Sequence, residues 1–441
     1  MVQPNRAPVS GLRGAAIAER ALARHGVRNA GAVTSVERFE RAFGRLASIG
    51  RDPGTGGYSR LAWTDADRSA REWFTAAAAE RGLAAETDRN GNLWAWWGPA
   101  GGSAVVLGSH LDTVPSGGAY DGALGVVSGF LALDALMAAG VRPRRPVAVV
   151  AFADEEGARF GLPTFGSRLM TGALDPAVAL RRTDVDGVEL AQALGWFEVD
   201  PAGLGSDPER VGRIGHFLEL HVEQGRALVD LSAPIGLATG IWPHGRWRLT
   251  LCGEPNHAGT TRLADRCDPM LPLARAIEVA RGLAAAAASG AVATVGRVLV
   301  QPNGTNAVPA TVTAWLDARA AEDGALDWLV RDWSEEVRRT AAAEGVDVEV
   351  IEESRSAPVT FDVGLTDRLA AVLTARGLPA PRLPTAAGHD AGALAAVVPA
   401  AMIFVRNPTG VSHSPAELAG PADCAIGVEV LAAAVEELAC R

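Results

Sequence analysis

Two strands that are apolar throughout, each ending in polar and acidic residues and joined through one helix, constrain this chain more than any other feature. Residues 104–110 (AVVLGSH) read as a buried strand, 122–140 as a helix rich in Ala, Leu and Val, and 146–156 (PVAVVAFADEE) as a second buried strand. Strands with no polar face belong inside a largely parallel sheet covered by helices on both sides. Functional groups in such sheets collect at the carboxyl ends of the strands. There the chain places His110 and Asp112, then Asp121 before the helix, and Glu155 and Glu156 after the second strand.

The same alternation continues over residues 33–239 and returns over 353–441, with the strand AAMIFV at 400–405 and a closing helix to Leu438. Between them, residues 240–352 change texture. A polar-alternating strand, a helix, a pair of strands, a further helix and the strand DVEVIEE give the order β-α-β-β-α-β. That order fits a compact α+β, ferredoxin-like domain inserted into the larger α/β domain. Residues 1–32 mix Arg and Ala with Pro and Gly, without the continuous apolar stretch of a secretory signal, and read as an N-terminal extension.

Composition removes several function classes. A formal net charge of −10 with no basic stripe argues against nucleic acid as a partner. The chain has no lysine at all, which excludes Schiff-base catalysis and a P-loop phosphate site. Cys252, Cys267, Cys424 and Cys440 form no CxxC pair, so neither a disulfide framework nor a thiolate zinc site is suggested, and a reducing compartment follows. The apolar runs are too short or interrupted to span a bilayer. A soluble, cytoplasmic protein without membrane partners is the expectation.

The candidate chemistry is metal chemistry. His110 and Asp112 are two residues apart and would share a side of an extended strand, which suits a ligand and the acid that orients it. Asp121 precedes Gly122 at a helix start, where it either caps the helix or offers a two-oxygen carboxylate to bridge two ions. Adjacent Glu155 and Glu156 at a strand end cannot face the same way, so one can ligate while the other acts as base. The strand HFLELHVEQG (216–225) alternates Glu219, His221 and Glu223, and a cation near His221 would relieve the crowding of acids. His413, in the loop VSHSP after AAMIFV, sits where a ligand is expected more than a core histidine.

Taken together, GSHLDTVPSGGAYDGALG, DEEGARFG, ELHVEQG, EPNHAGTTR, QPNGTNAVP, GHDAG and GVSHSP resemble the amidase branch of the aminoacylase-type di-metal peptidase superfamily. That branch holds N-carbamoyl-L-amino-acid hydrolases, β-ureidopropionases and allantoate amidohydrolases, and the likeness runs from about residue 35 to the end. The resemblance implies a di-metal exopeptidase-like catalytic domain with a lid and dimerisation domain at 240–352. It also implies two divalent ions per subunit, Zn, Mn, Co or Ni: His110 and His221 on one, Glu156 and His413 on the other, Asp121 bridging. Glu155 becomes the general base, Asp112 the residue orienting His110, and His257 the group that reaches a partner subunit's site and stabilises the oxyanion. Asn306 and Arg319 resemble the groups that grip a substrate carboxylate, and Gln224, Gly388 and His389 those that line the pocket. A homodimer acting on a small-molecule carboxylate is the implied assembly.

Departures from the family pattern bear on substrate. Arg262 and Leu263 replace the usual Pro and Met after HAGTT, Trp242 and His244 enter GIWPHGRW, and Arg406 stands where many relatives have Pro. Extra cationic and imidazole groups would suit a doubly ureido-substituted acid such as allantoate over an apolar N-carbamoyl amino acid, although Arg406 reads equally as a solvated loop residue. A dipeptidase or deacylase is disfavoured by HVEQG, and a metal-stabilised binding protein without catalysis by the completeness of the set.

Overall fold

The computed structural model describes residues 33–99 and 101–440. The extension expected over residues 1–32 lies outside them. Two compact units are present: one runs to Thr239 and adds Phe361–Leu383 and the chain from Gly388, and the other is Gly240–Thr360 with Pro384–Ala387. Its strand at Asp347–Ser356 carries the smaller unit past residue 352, where sequence texture alone had set the limit.

The strands of interest, in chain order, are β1 (Ala84–Thr87), β2 (Leu93–Trp97), β3 (Ala104–His110), β4 (Val147–Phe152), β5 (Ile214–Val222), β6 (Ile235–Ile241), β7 (His244–Cys252), β8 (Ala291–Gln301), β9 (Thr311–Ala320), β10 (Asp347–Ser356) and β11 (Ala400–Val405). In the larger unit they lie side by side as β1-β2-β4-β3-β5-β11-β6. The middle four, β4-β3-β5-β11, are parallel, while β1, β2 and β6 pair antiparallel at the flanks. Every residue of β3, β4 and β11 is buried, as their unbroken apolar sequences require.

Helix Ala123–Ala138 is apolar but for Ser128 and Asp134, and it is buried from Ala123 to Leu133: it packs on β3 and against the closing helix Pro421–Val435, with Phe130 meeting Trp73 and Phe74. Removing a fully buried side chain of this kind costs about 3–5 kcal/mol for Phe→Ala. Four parallel strands then deliver their carboxyl ends to one edge, and the loops that follow them carry the site.

The smaller unit pairs β10-β7-β9-β8, all antiparallel. Its helices, Met270–Ala286 and Asp323–Ala343, share one core with the inward residues Val312, Ala314, Leu316, Ala318 and Ala320 of β9. Trp333 is fully buried there and donates its indole N–H to the Ala276 carbonyl at 2.9 Å. This is the expected ferredoxin-like arrangement.

Candidate metal centre

His110 is the last residue of β3 and His221 the penultimate residue of β5, neighbouring parallel strands, and their rings lie 6.0 Å apart. Asp121 reaches them from the turn before helix Ala123–Ala138. Gly122 makes that turn possible: its φ is +65°, and a Cβ there would fall 2.5 Å from the His110 ring.

The Asp121 carboxylate divides its oxygens between two pairs of side chains. Oδ1 lies 3.4 Å from His110 Nε2 and 3.1 Å from His221 Nε2, whereas Oδ2 lies 3.4 Å from His413 Nε2, which is itself 3.4 Å from Glu156 Oε2. Two clusters of potential ligands result, His110–Asp121–His221 and Asp121–Glu156–His413, with Asp121 common to both. The first is fully buried, while the His413 side chain is 49 % exposed on its loop and held at φ +55°.

The donor set fits divalent ions. His110 Nε2 and Glu156 Oε1 are buried with no hydrogen-bond partner, a state that buried polar atoms rarely tolerate. Mixed imidazole and carboxylate ligands suit Zn, Mn, Co or Ni. The far ring nitrogens are satisfied from behind: His110 Nδ1 faces the Asp112 carbonyl at 3.1 Å and His221 Nδ1 the Val222 carbonyl at 2.9 Å, turning each Nε2 to the centre, where that of His221 also accepts the Gly122 N–H at 3.3 Å.

Asp112 differs in detail from its sequence-based role. Its backbone carbonyl is the acceptor against His110, and its carboxylate stands 3.6 Å from the ring. That carboxylate accepts the N–H groups of Glu155 at 3.2 Å and Glu156 at 3.0 Å. The acid therefore fixes the turn that presents both glutamates. That turn is not strand: β4 stops at Phe152, and Asp154 takes φ +52°.

Crowded charge governs the electrostatics. Burial would lower the His110 pKa, but Glu155, Asp112 and Asp121 outweigh it and hold the imidazole well above its ordinary value. Asp121 goes the other way: burial would raise it, but the imidazoles of His110, His221 and His413 closing on its two oxygens overcome that and keep it well below the carboxylate range. Burial pushes Glu155 well up and Glu156 to about 7. Glu155 Oε2 is 3.7 Å from His110 Nε2, close to the centre without belonging to either ligand cluster.

The remaining expected residues fall into two groups. Gln224 Nε2 contacts Asp121 Oδ2 at 3.0 Å, Ser412 Oγ at 3.1 Å and His413 Nε2 at 3.3 Å, so it joins the centre directly. His389, next to Gly388, is buried edge-on to His221 with ring centroids 4.5 Å apart, and burial holds its pKa well below normal. In the smaller unit, His257 and Asn306 are exposed, and the chain pairs locally through Ala258 N–H to the Asn306 carbonyl at 2.9 Å. Arg319 is held by Asp317 at 2.9 Å and by the Ala386 carbonyl at 2.6 Å.

The departures that favoured allantoate prove to be engaged locally. Arg406 is paired with Asp423 at 2.8 Å, Arg262 with Asp265 at 2.5 Å, and His244 with the Trp242 carbonyl at 3.0 Å.

Sequence reasoning overlooked Glu417, Ser412, Asp390 and the carboxyl group of Asp154. It noted Glu219 only as a neighbour of His221. Glu219 accepts from Ser109 Oγ at 2.6 Å and from the Ala391 N–H at 2.9 Å, bracing β5 beneath His221. Its place two residues before His221 on an apolar strand was a usable signal. Asp154 and Asp390 are buried with carboxylate oxygens lacking partners. An acid one residue from a known candidate, or directly after a pocket histidine, gave no such signal.

Residues 106–437 match the model of peptidase family M20/M25/M40. The chain is 36 % identical over 405 residues to an N-carbamoyl-L-amino acid amidohydrolase of Geobacillus stearothermophilus, covering 91 % of this chain and 98 % of that protein. It is 32 % identical to an allantoate amidohydrolase of Escherichia coli, covering 91 % and 98 %. Among solved structures, an amidase of the hydantoinase/carbamoylase family from Burkholderia vietnamiensis superposes with a TM-score of 0.84 at 32 % identity, covering 92 % of this chain and 98 % of that one.

Proposed function

Since this chain belongs to peptidase family M20/M25/M40, within its carbamoylase and allantoate amidohydrolases acting on C–N bonds, we propose that it hydrolyses an N-carbamoyl-L-amino acid. The observation that carries the chemistry is Asp121, whose two oxygens face separate ligand pairs. His110, His221 and Asp121 would hold one divalent ion, and Asp121, Glu156 and His413 a second. Two such ions polarise a scissile carbonyl and lower the pKa of water.

Glu155 acts as general base and then acid. It takes a proton from the attacking water and returns it to the leaving nitrogen as the ureido C–N bond breaks, and the products resolve to amino acid, ammonia and carbon dioxide. Asp112 holds the Glu155–Glu156 turn and the back of His110 throughout.

Arg319 and Asn306 are assigned to the substrate carboxylate, where an Arg fork suits a planar anion. Gln224, Gly388 and His389 are assigned to the pocket. His257 is assigned to the tetrahedral oxyanion, supplied by a second copy of the chain in a homodimer. The likeness of PNHAGTT, NGTNAVP and GHDAG to the family motifs supports these roles.

The preference for an N-carbamoyl-L-amino acid rests on the likeness to the Geobacillus relative. Allantoate is the second reading, favoured by the similar Escherichia coli protein. Ammonia release on N-carbamoyl-L-amino acids, allantoate, ureidoglycolate and N-carbamoyl-β-alanine, run side by side with Mn-loaded protein, separates them. A higher kcat/KM on an N-carbamoyl-L-amino acid is expected, and a higher value on allantoate would overturn the substrate assignment.

A further inference from the structure

Glu417 lies four residues beyond His413 and makes no hydrogen bond to the side chain of any candidate ligand, yet three donors converge on it. Its Oε1 accepts the backbone N–H groups of Tyr120 and Asp121, each at 3.0 Å, and its Oε2 accepts the Ser412 hydroxyl at 2.9 Å. The residue is only 5 % exposed. It reaches this position because residue 118 is glycine: a Cβ there would lie 2.2 Å from Glu417 Oε1. The Tyr120 ring beside it is stacked on Phe43 at 4.9 Å, which fixes the peptide that Glu417 grips.

Ser412 connects this anchor to the bridging carboxylate. Its Oγ lies 3.4 Å from Asp121 Oδ2 and 3.1 Å from the donating Gln224 Nε2. A hydroxyl has one proton to give. While Glu417 offers a carboxylate oxygen at 2.9 Å, that proton points at Glu417 and away from Asp121 Oδ2.

We propose that Glu417 is a positioning residue that sets the direction of this hydrogen-bond chain, so that Asp121 Oδ2, which already accepts from Gln224 Nε2 at 3.0 Å, is spared a second donor and keeps a lone pair to ligate alongside Glu156 and His413. The two N–H bonds fix where Asp121 stands, and the hydroxyl bond keeps its outer oxygen available. The inference rests on the assignment of Asp121, Glu156 and His413 as ligands of the second ion.

Glu417→Gln keeps the shape while reversing the chain. The amide oxygen still accepts the Tyr120 and Asp121 N–H groups, but its NH2 now donates to Ser412 Oγ and turns the hydroxyl proton onto Asp121 Oδ2. Mn(II) affinity, measured by competition with a chelator of known affinity, reads the result directly. For wild-type protein two bound ions are expected. Glu417→Gln should weaken the second ion about tenfold or more, within the range seen when groups behind metal ligands are changed, and leave the first unchanged.

Ser412→Ala should change the second affinity by less than about threefold, a loss no larger than one modest hydrogen bond. The double variant Ser412→Ala/Glu417→Gln should recover to near the Ser412→Ala value, because the competing proton has gone. Urea unfolding of the metal-free variants reports any loss of fold separately. Should wild-type protein fail to bind two ions, the ligand assignment itself falls. Should it bind two while Glu417→Gln binds as tightly, or while the double variant binds no tighter than Glu417→Gln, the role of Glu417 is overturned.

Discussion

At the residue scale the division of labour is sharp enough to be tested one atom at a time. Glu155→Gln keeps the volume and the Asp112-held turn but cannot take a proton, so kcat for ammonia release should fall by about 10²–10⁴. Metal content, measured by elemental analysis, should stay at the wild-type value. Asp121→Asn removes the carboxylate both clusters share, and should cost ion content as well as activity. His110, Asp121, Glu156, His221 and His413 were legible in sequence because each follows or ends an apolar strand, or opens a helix, inside a motif. Glu417 was not, since an acid in SPAE looks like solvated loop, and only the fold brings the Gly118–Asp121 turn to it. Arg406 left two readings open for the converse reason: Asp423, its partner, sits in the closing helix and nothing local announces the pair.

At the scale of elements, the centre depends on β3, β5 and helix Ala123–Ala138 meeting at one point. Gly122→Ala places a methyl group against the His110 ring and forces φ +65° on a residue with a Cβ. A loss of about 1–3 kcal/mol is expected for the backbone strain alone, together with weaker ion binding. Urea denaturation of metal-free protein reads the first and chelator competition the second. The strands at 104–110 and 400–405 were readable to the residue, since a run buried on both faces has no alternative. The expected strand through 146–156 was too long, because the acids end it: after Phe152 the ladder is replaced by three N–H bonds to the side chains of Asn92 and Asp112 and by bonds from the Thr164, Phe165 and Gly166 N–H groups to the carbonyls of Glu155, Asp154 and Ala153.

For the molecule as a whole, a centre holding so many carboxyl groups ties stability to pH and to metal. Glu155, Glu156, Glu219 and Asp390 all have pKa values raised by burial. Each contributes stability that is fully present below its unfolded pKa and lost as pH rises through its folded value; His110, His221 and His413, also raised, act in the same sense from a higher starting pH. Asp121 is depressed, and its contribution is already complete at pH 5, while His389, His216 and His244, lowered by burial, oppose the trend. Metal-free protein should therefore lose stability between pH 5 and about 8. Glu156 alone, shifted to about 7, contributes roughly 3 kcal/mol to that loss. Saturating Mn(II) should flatten the dependence and raise Tm at pH 8, with a gain of about 2.7 kcal/mol at a hundredfold excess over Kd. Chelation should reverse it, and a Tm at pH 8 unmoved by Mn(II) or by chelator would contradict the ion assignment. The most direct measurement is ammonia release from an N-carbamoyl-L-amino acid by Mn-loaded wild-type protein beside Glu155→Gln of equal metal content. Turnover by the wild type with at least a hundredfold loss in the variant is predicted; ammonia release by both at the same rate, or by neither from any ureido acid, would contradict it.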